Sequence, residues 1–389
     1  MVEPLAGLRV LDLTTFLSGP LATRALAQMG ADVVKVEPPG VGDPTRSGMG
    51  VAPEDPPSPY WVALHRDRRG IVLDLKHEAG RTVLLELAGA ADVLVDNFRP
   101  GVMDRFGLTP DVLRSANPRL ISCSITGYGA DGPMADRAAI DGPIQAFTGV
   151  LDLTTRDGGS GLPMPVQVAD IAGASQATQA VLAALYQRER TGEGTHIDVT
   201  LVESLVQWLS VADRFGTMVS PVTMVLEGSD GGRFLAQTPV HFQPRFAELI
   251  AGVEGCESIR TDPRFADGPS RIANAEAYLA IARRAAATRT RDEWLQALHE
   301  AGVPAAPVQG FDDALIHDQL QGRSVTTTID LPGQGETSVL AGAVRFDGER
   351  RMATSRPPAL GEHTAEVLGE WLGADDARVA ELRASGAFG

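Results

Sequence analysis

Asp170 is the carboxylate best placed for chemistry, standing in PMPVQVADIAGASQATQAVLAALYQRERTG where an apolar extended run gives way to a helical pattern. The residue types leave two readings of it open. Asp is a favoured N-cap, accepting the N–H groups that a first helical turn leaves unpaired. The same positive helix end keeps a carboxylate ionised, and Gly173 and Ala174 beyond it leave room for a ligand. Asp170 could then attack a carbonyl as an acyl acceptor. A second set of candidates is basic: Arg46, Arg66, Arg68, Arg69, Lys76, Arg99 and Arg105 fall among predicted loops and element ends. Such groups either hold the phosphates of a nucleotide or form a scattered, solvated surface.

Other chemistries find less support. Gly127, Gly129 and Gly132 spell G-x-G-x-x-G after RLISCSI, but Pro133 follows and MADRAAIDGP makes a poor helix, so a dinucleotide turn is a weak reading. These glycines still allow backbone N–H groups to approach a ligand. GKS/GKT, HExxH and GxSxG are all missing, and the seven histidines are dispersed. His363, at a helix start in PPALGEHTAEVL, reads as a capping or packing residue. No metal site is predicted.

The elements that must position these groups alternate in type. RVLDLT (9–14), DVVKVE (32–37), DVLVD (92–96) and RLISCSI (119–125) read as buried strands, with helices near 20–29 and 78–89. The pattern predicts an α/β fold with a largely parallel sheet. Gly30 marks a helix stop directly before a strand. Residues 38–60, dense in Pro and Gly, read as an extended loop. Helices are predicted over 170–190 and 200–215 with TGEGTH as a turn between them, and across 244–300. The segment 216–240 loses periodicity and reads as a linker. SVTTTIDL and SVLAGAVRF look β-like, and the chain closes with two short helices.

A chain of 389 residues with 43% apolar content predicts two domains. The two cysteines, Cys123 and Cys256, are far apart, which predicts neither a disulfide nor a cysteine–zinc site. With no long apolar run and no basic leader, the expectation is a soluble, cytoplasmic protein. The net charge of −16 argues against nucleic-acid and anionic-membrane partners. Residues 1–140 nevertheless carry 14 Lys plus Arg against 17 Asp plus Glu, while residues 141–389 carry 20 against 33. The front half is the more suitable place for one polyanionic ligand.

Taken together, the segments resemble the class III coenzyme A-transferases, the family of formyl-CoA and carnitine CoA-transferases that includes the α-methylacyl-CoA racemases. The resemblance rests on eight blocks in order: PLAGLRVLDLT with Gly19-Pro20, GADVVKVEPPGVGDPTR, DRRGIVLDLK, ADVLVDNFRPGVMDRFGL, PRLISCSITGYGADGP, VADIAGA with RTGEGTHIDVTLVES, AGVPAAPV and PALGEHTAEVL. It implies that Asp170 is the catalytic aspartate, forming covalent intermediates as CoA moves from an acyl-CoA to a free carboxylic acid. It implies that Leu73, Lys76, Asn97, Phe98 and Arg105 line the CoA site with Arg137 close by, and that no cofactor is permanently bound. The implied fold is a large Rossmann-like domain built from both chain ends (1–215 and 316–389) and a smaller inserted α+β domain with its linker (216–315). Two such chains are expected to interlock as a homodimer.

The chain departs from the family pattern in several places. Pro38 stands where many members carry an arginine, with Arg46 a candidate to take over its contact, and Leu17 replaces a glutamine that assists some transferases. The RxGN-x-HP segment and the glycine-rich loop are missing around 216–240. The alternatives are a 2-methylacyl-CoA racemase and a noncatalytic acyl-CoA-binding protein. Racemisation needs a base on each face, yet Ile140 stands where racemases carry a histidine and Gln243 where they carry a glutamate.

Overall fold

The computed structural model describes residues 3–47, 58–154, 161–215 and 221–389, the side chains of 211–215 excepted. Residues 48–57 of the predicted long loop and 216–220 of the predicted linker lie outside the described residues. Six strands, β1 (Arg9–Asp12), β2 (Asp32–Glu37), β3 (Arg69–Val72), β4 (Val93–Asp96), β5 (Ile121–Thr126) and β6 (His196–Thr200), form one parallel sheet in the order β3-β2-β1-β4-β5-β6. This is the strand order of a doubly wound, Rossmann-like sheet, whose topological switch point lies between β1 and β4.

Among the described residues, α1 (Ser18–Gln28), α2 (Pro59–His65), α3 (Glu78–Ala90), α4 (Val102–Arg105), α5 (Pro110–Ala116), α6 (Asp141–Thr148), α7 (Val150–Leu153), α8 (Val168–Thr191) and α9 (Leu201–Phe215) follow in chain order. Alternate side chains of the strands feed two cores. Val10, Val33, Val93, Val95, Ile121, Cys123 and Ile125 meet α1, α8 and α9 on one face. Leu11, Val34, Ile71 and Leu94 meet Val83, Leu84 and Leu87 of α3 on the other. Each fully buried aliphatic side chain contributes about 1.5–3 kcal/mol, which is why these strands read as apolar runs.

The second face is completed from the far end of the chain. Val367, Leu368 and Trp371 of the helix Thr364–Leu372, with Val379 and Leu382 of Asp376–Ala384, pack into it. The outer edge of β3 is closed by the same segment. His363 donates its N–H to Gly70 O and accepts Gly70 N–H on Nδ1 at 3.1 Å, while Thr364 Oγ1 accepts Val72 N–H at 3.2 Å. His363 is thus the packing residue its position predicts, and the sheet is left without an open edge there.

By packing, the chain falls into two compact units, Met1–Leu209 with Arg323–Gly389, and Ser210–Gly322. Inside the second unit the pattern reading needs correction. The segment 216–240 holds β7 (Thr223–Glu227) and β8 (Arg233–Gln237), antiparallel to each other, with β9 (Ala305–Pro307) added to β8. Met224, Leu226, Phe234 and Ala236 face the unit's core while Val225 is exposed, a period-2 pattern. In the first unit the two late β-like runs become the hairpin β10 (Thr326–Leu331) and β11 (Gly335–Leu340). No helix among the described residues is long and apolar enough to cross a membrane.

Candidate active site

Ligands of open parallel sheets bind at the carboxyl ends of the strands, at the switch point. Here that point is clasped by a side chain. Asn97, just past β4, accepts the Thr15 N–H on Oδ1 and donates Nδ2–H to Thr15 O, both at 2.7 Å. The turn after β1 is held from beneath by a buried charge network. Asp12 and Lys35 are register partners on β1 and β2, 3.9 Å apart, and Lys35 also reaches Asp43 at 3.2 Å and donates to Thr14 O. Arg68 pairs with Asp12 at 2.6 Å and donates to Pro20 O at 2.6 Å. Asp12 further accepts from Thr14 and Thr23. Burial pushes the Asp12 carboxyl up, but Lys35, Arg68 and the threonine hydroxyls outweigh it and hold it below its ordinary value. Phe16 is held here with φ 64°, unusual for a bulky residue.

Asp170 is not the N-cap that its sequence position suggests. Gln167 is the cap residue and makes no side-chain capping bond, so Asp170 is the third residue of α8. The cap comes from elsewhere: Asp141 Oδ1, at the start of α6, accepts Ala169 N–H at 2.7 Å and Asp170 N–H at 3.3 Å. Gln145 donates to the other Asp141 oxygen at 2.5 Å and accepts Met164 N–H at 2.8 Å. The α8 N-terminus is thereby fixed by a carboxylate that the sequence reading did not single out.

Asp170 is part-buried, and its carboxyl is pushed up to about 6, by burial first and then by the Asp141 charge, with a hydrogen bond from Ser18 pulling the other way. The helix end alone therefore does not set its ionisation, contrary to the expectation above. Ser18 opens α1, so two helix N-termini meet at this carboxyl. Space beside Gly173 is also not what its size suggests. A Cβ there would come within 2.5 Å of Leu201 Cδ2, so Gly173 lets α8 and α9 close together and leaves no ligand room.

Tyr60, in α2, is a member of this site that the sequence reading missed. Burial raises its hydroxyl above the ordinary value, and Asp170, Asp141 and Asp43 add to the rise. The available signal was Ser58-Pro59: Ser58 Oγ accepts Trp61 N–H at 3.1 Å with Pro at the first helical position, so a helix starts where the loop was expected to continue.

The candidate ligand-binding residues separate clearly. Leu73, Lys76, Asn97, Phe98 and Arg137 all follow the carboxyl ends of β3, β4 and β5, and Arg105 ends α4 just beyond β4. The Leu73 side chain is 1% exposed and belongs to the core, so only its backbone can meet a ligand. Phe98 lies edge-on to Phe106 at 6.2 Å. Lys76, Arg99, Arg105 and Arg137 are exposed, and no ion pair among the described residues involves them. Arg46 does not join this group: it pairs with Glu37 at 2.6 Å, donates to Pro358 O and lies over Trp61 at 3.9 Å. Arg68 is committed to Asp12, and Arg69 to Asp32, Glu366 and Glu370. In the second unit, Gln243 is buried and exchanges hydrogen bonds with the Tyr278 hydroxyl at 2.9 and 3.1 Å.

Comparison with known proteins agrees with this architecture. Residues 5–364 match the profile of CoA-transferase family III. Succinyl-CoA:glutarate CoA-transferase from Mus musculus is 31% identical, the match covering 99% of this chain and 90% of that enzyme. Acetyl-CoA:oxalate CoA-transferase from Acetobacter aceti is 36% identical over 83% of this chain and 85% of its own. The crystal structure of a CAIB/BAIF family protein from Brucella suis superposes with a TM-score of 0.81 at 33% identity, over 95% of this chain and all of that one (100%). The chain belongs to CoA-transferase family III, and it is a CoA-transferase.

Proposed function

We propose that this enzyme moves CoA from an acyl-CoA to a free carboxylic acid through covalent intermediates on Asp170. The ionised carboxylate attacks the thioester carbonyl, giving an acyl-aspartyl anhydride and CoA thiolate. The thiolate then attacks the Asp170 carbonyl, forming an aspartyl-CoA thioester and releasing the first acid. An acceptor carboxylate runs the two steps in reverse. The observation that carries this reading is the Asp170 carboxyl itself, raised to about 6 in the first turn of a helix whose backbone N–H groups at Ala169 and Asp170 are fixed by Asp141. A carboxylate with that value is ionised at neutral pH yet weakly solvated, which suits a nucleophile. Hydroxylamine added during turnover is expected to convert Asp170, and no other carboxylate, to a hydroxamate in the peptide map. A hydroxamate elsewhere, or none, removes the mechanism.

In this reading the CoA phosphates meet the exposed, uncommitted cations Lys76, Arg105 and Arg137, and the rest of CoA runs past Phe98 and the Asn97 clasp at the switch point. CoA is expected to raise the thermal midpoint in a salt-sensitive way. Arg105→Ala is expected to weaken CoA binding by roughly tenfold, from the loss of one charge-assisted contact. A thermal midpoint indifferent to millimolar CoA would discard this ligand assignment.

The family resemblance also supports a homodimer, and Tyr186 on α8 and Val206 and Trp208 on α9 are exposed apolar groups a second copy would cover. Sedimentation at nanomolar concentration is expected to find a dimer. A monomer there rules it out.

A further inference from the structure

The surroundings of Asp170 also bear on which acids it handles, an inference that rests on the reading of Asp170 given above. Three chain segments linked to its helical turn carry exposed apolar residues. Phe16, 49% exposed, lies two residues before Ser18, whose hydroxyl reaches Asp170. Its left-handed backbone is fixed because both peptide groups before it are tied, Thr14 to Asp12 and Lys35, and Thr15 to Asn97. Ile140, 72% exposed, directly precedes the capping Asp141. Met164, 42% exposed, is tied through its N–H to Gln145, which in turn holds Asp141.

The charged groups near the same turn point the same way. Lys35, Arg46 and Arg68 are all spent on Asp12, Asp43 and Glu37, and no ion pair among the described residues involves Asp170 or Asp141. The carboxylates Asp170, Asp141 and Asp43 all act on the Tyr60 hydroxyl, and Asp141 acts on Asp170, so negative charge is gathered here. A second carboxylate on the substrate would enter a region already negative, where none of the ion pairs among the described residues leaves Lys35, Arg46 or Arg68 available to it. An apolar acyl group would meet Phe16, Ile140 and Met164.

We propose that the acids exchanged at Asp170 are monocarboxylates with an apolar acyl group, and that Phe16, Ile140 and Met164 form the wall on which that group rests. This departs from the dicarboxylates, oxalate and glutarate, that the relatives' names carry.

The test is an exchange assay of the full-length enzyme with acetyl-CoA and butyryl-CoA as donors. Butyrate, 3-methylbutyrate and phenylacetate are set against oxalate, succinate and glutarate as acceptors. Apolar monocarboxylates are expected to be preferred by at least roughly tenfold in kcat/KM, the discrimination that one or two apolar contacts give. Phe16→Ala is expected to lower that preference, and Ile140→Arg to raise use of succinate by supplying the missing cation. Dicarboxylates used as well as or better than monocarboxylates, with Asp170 still trapped by hydroxylamine, would overturn the proposal and leave the mechanism standing. If Arg137→Ala abolishes that dicarboxylate use while butyrate exchange from the same donor is kept, Arg137 serves the second carboxylate and not CoA, and the proposal fails for that reason. Absence of exchange with every acid, together with absence of trapping, removes the parent mechanism and this inference with it.

Discussion

Asp170→Asn is expected to abolish CoA exchange and, at neutral pH, to make the folded enzyme more stable. An amide of the same shape cannot attack a thioester, so activity is expected to fall by on the order of 10⁴-fold or more. The stability change follows from the raised carboxyl. The unfolded chain releases this proton near 3.8, the folded protein near 6. Protonated Asp170 favours the fold; that contribution is complete below 3.8 and lost as pH rises through about 6. At pH 7 the wild type therefore carries an ionised, poorly solvated group that Asn lacks, a difference of about 2–3 kcal/mol. Were Asp170 the cap of α8, Asn would instead be neutral, since the two cap equally well. Urea unfolding of both proteins at pH 4 and pH 7 separates these outcomes. The carboxyl of Asp96, buried and also raised to about 6, titrates in both proteins, so the difference between them isolates Asp170. The wild-type kcat/KM is expected to climb through pH 6 and then level, since attack requires the carboxylate. A variant that keeps near-normal exchange sinks the mechanism.

The second large effect is expected at Asp12. Asp12→Asn leaves the fully buried Arg68 without its carboxylate and Lys35 with Asp43 alone. Removing one member of a buried ion pair costs about 3–5 kcal/mol. Arg68→Met is expected to cost about as much, and the double variant less than the sum, because the pair acts as one unit. Asp12 is held below its ordinary value, so its contribution exists above 3.8 and is lost as pH falls through the lower folded value. Acid sensitivity should accordingly shrink in the Asn variant. The measurement is the urea midpoint of each protein; a wild-type midpoint for Asp12→Asn contradicts the assigned network. Exchange activity should fall too, because these groups hold Thr14 and Pro20 on either side of Phe16 and Ser18.

What could be read from the sequence follows from burial. β1, β2, β4 and β5 are covered on both faces and so appear as runs of Val, Ile and Leu. β3 is only RGIV, opening on Arg and Gly, and β6 is the edge strand HIDVT with His196 and Asp198 exposed, so neither shows a run. Both were missed for that reason. The period-2 signal of β7 and β8 was present but lay in two five-residue pieces across a Gly-rich turn. For the site, the ordered blocks pointed to Asp170 and to the loops after β3, β4 and β5. They could not tell a charge that faces solvent from one already paired. Lys76 and Arg46 look alike in sequence, yet one is exposed with no ion pair among the described residues and the other is closed against Glu37 and Trp61. Nor could they show that Asp141, far from Asp170 in the chain, caps its helix.

The second face of the sheet is finished only by residues near the end of the chain. Leu11, Val34, Ile71 and Leu94 wait for Val367, Leu368, Trp371 and Leu382. A ribosome adding roughly 5–20 residues each second needs on the order of 10–50 s to travel from β5 to Val367. For that interval this face of the nascent sheet is covered by α3 but not by the late helices, and β3 has neither His363 nor Thr364 along its edge. Chaperones thus have a defined window and a defined face to guard, and a message cut short before His363 yields a chain whose sheet keeps part of one face uncovered and the β3 edge unclosed.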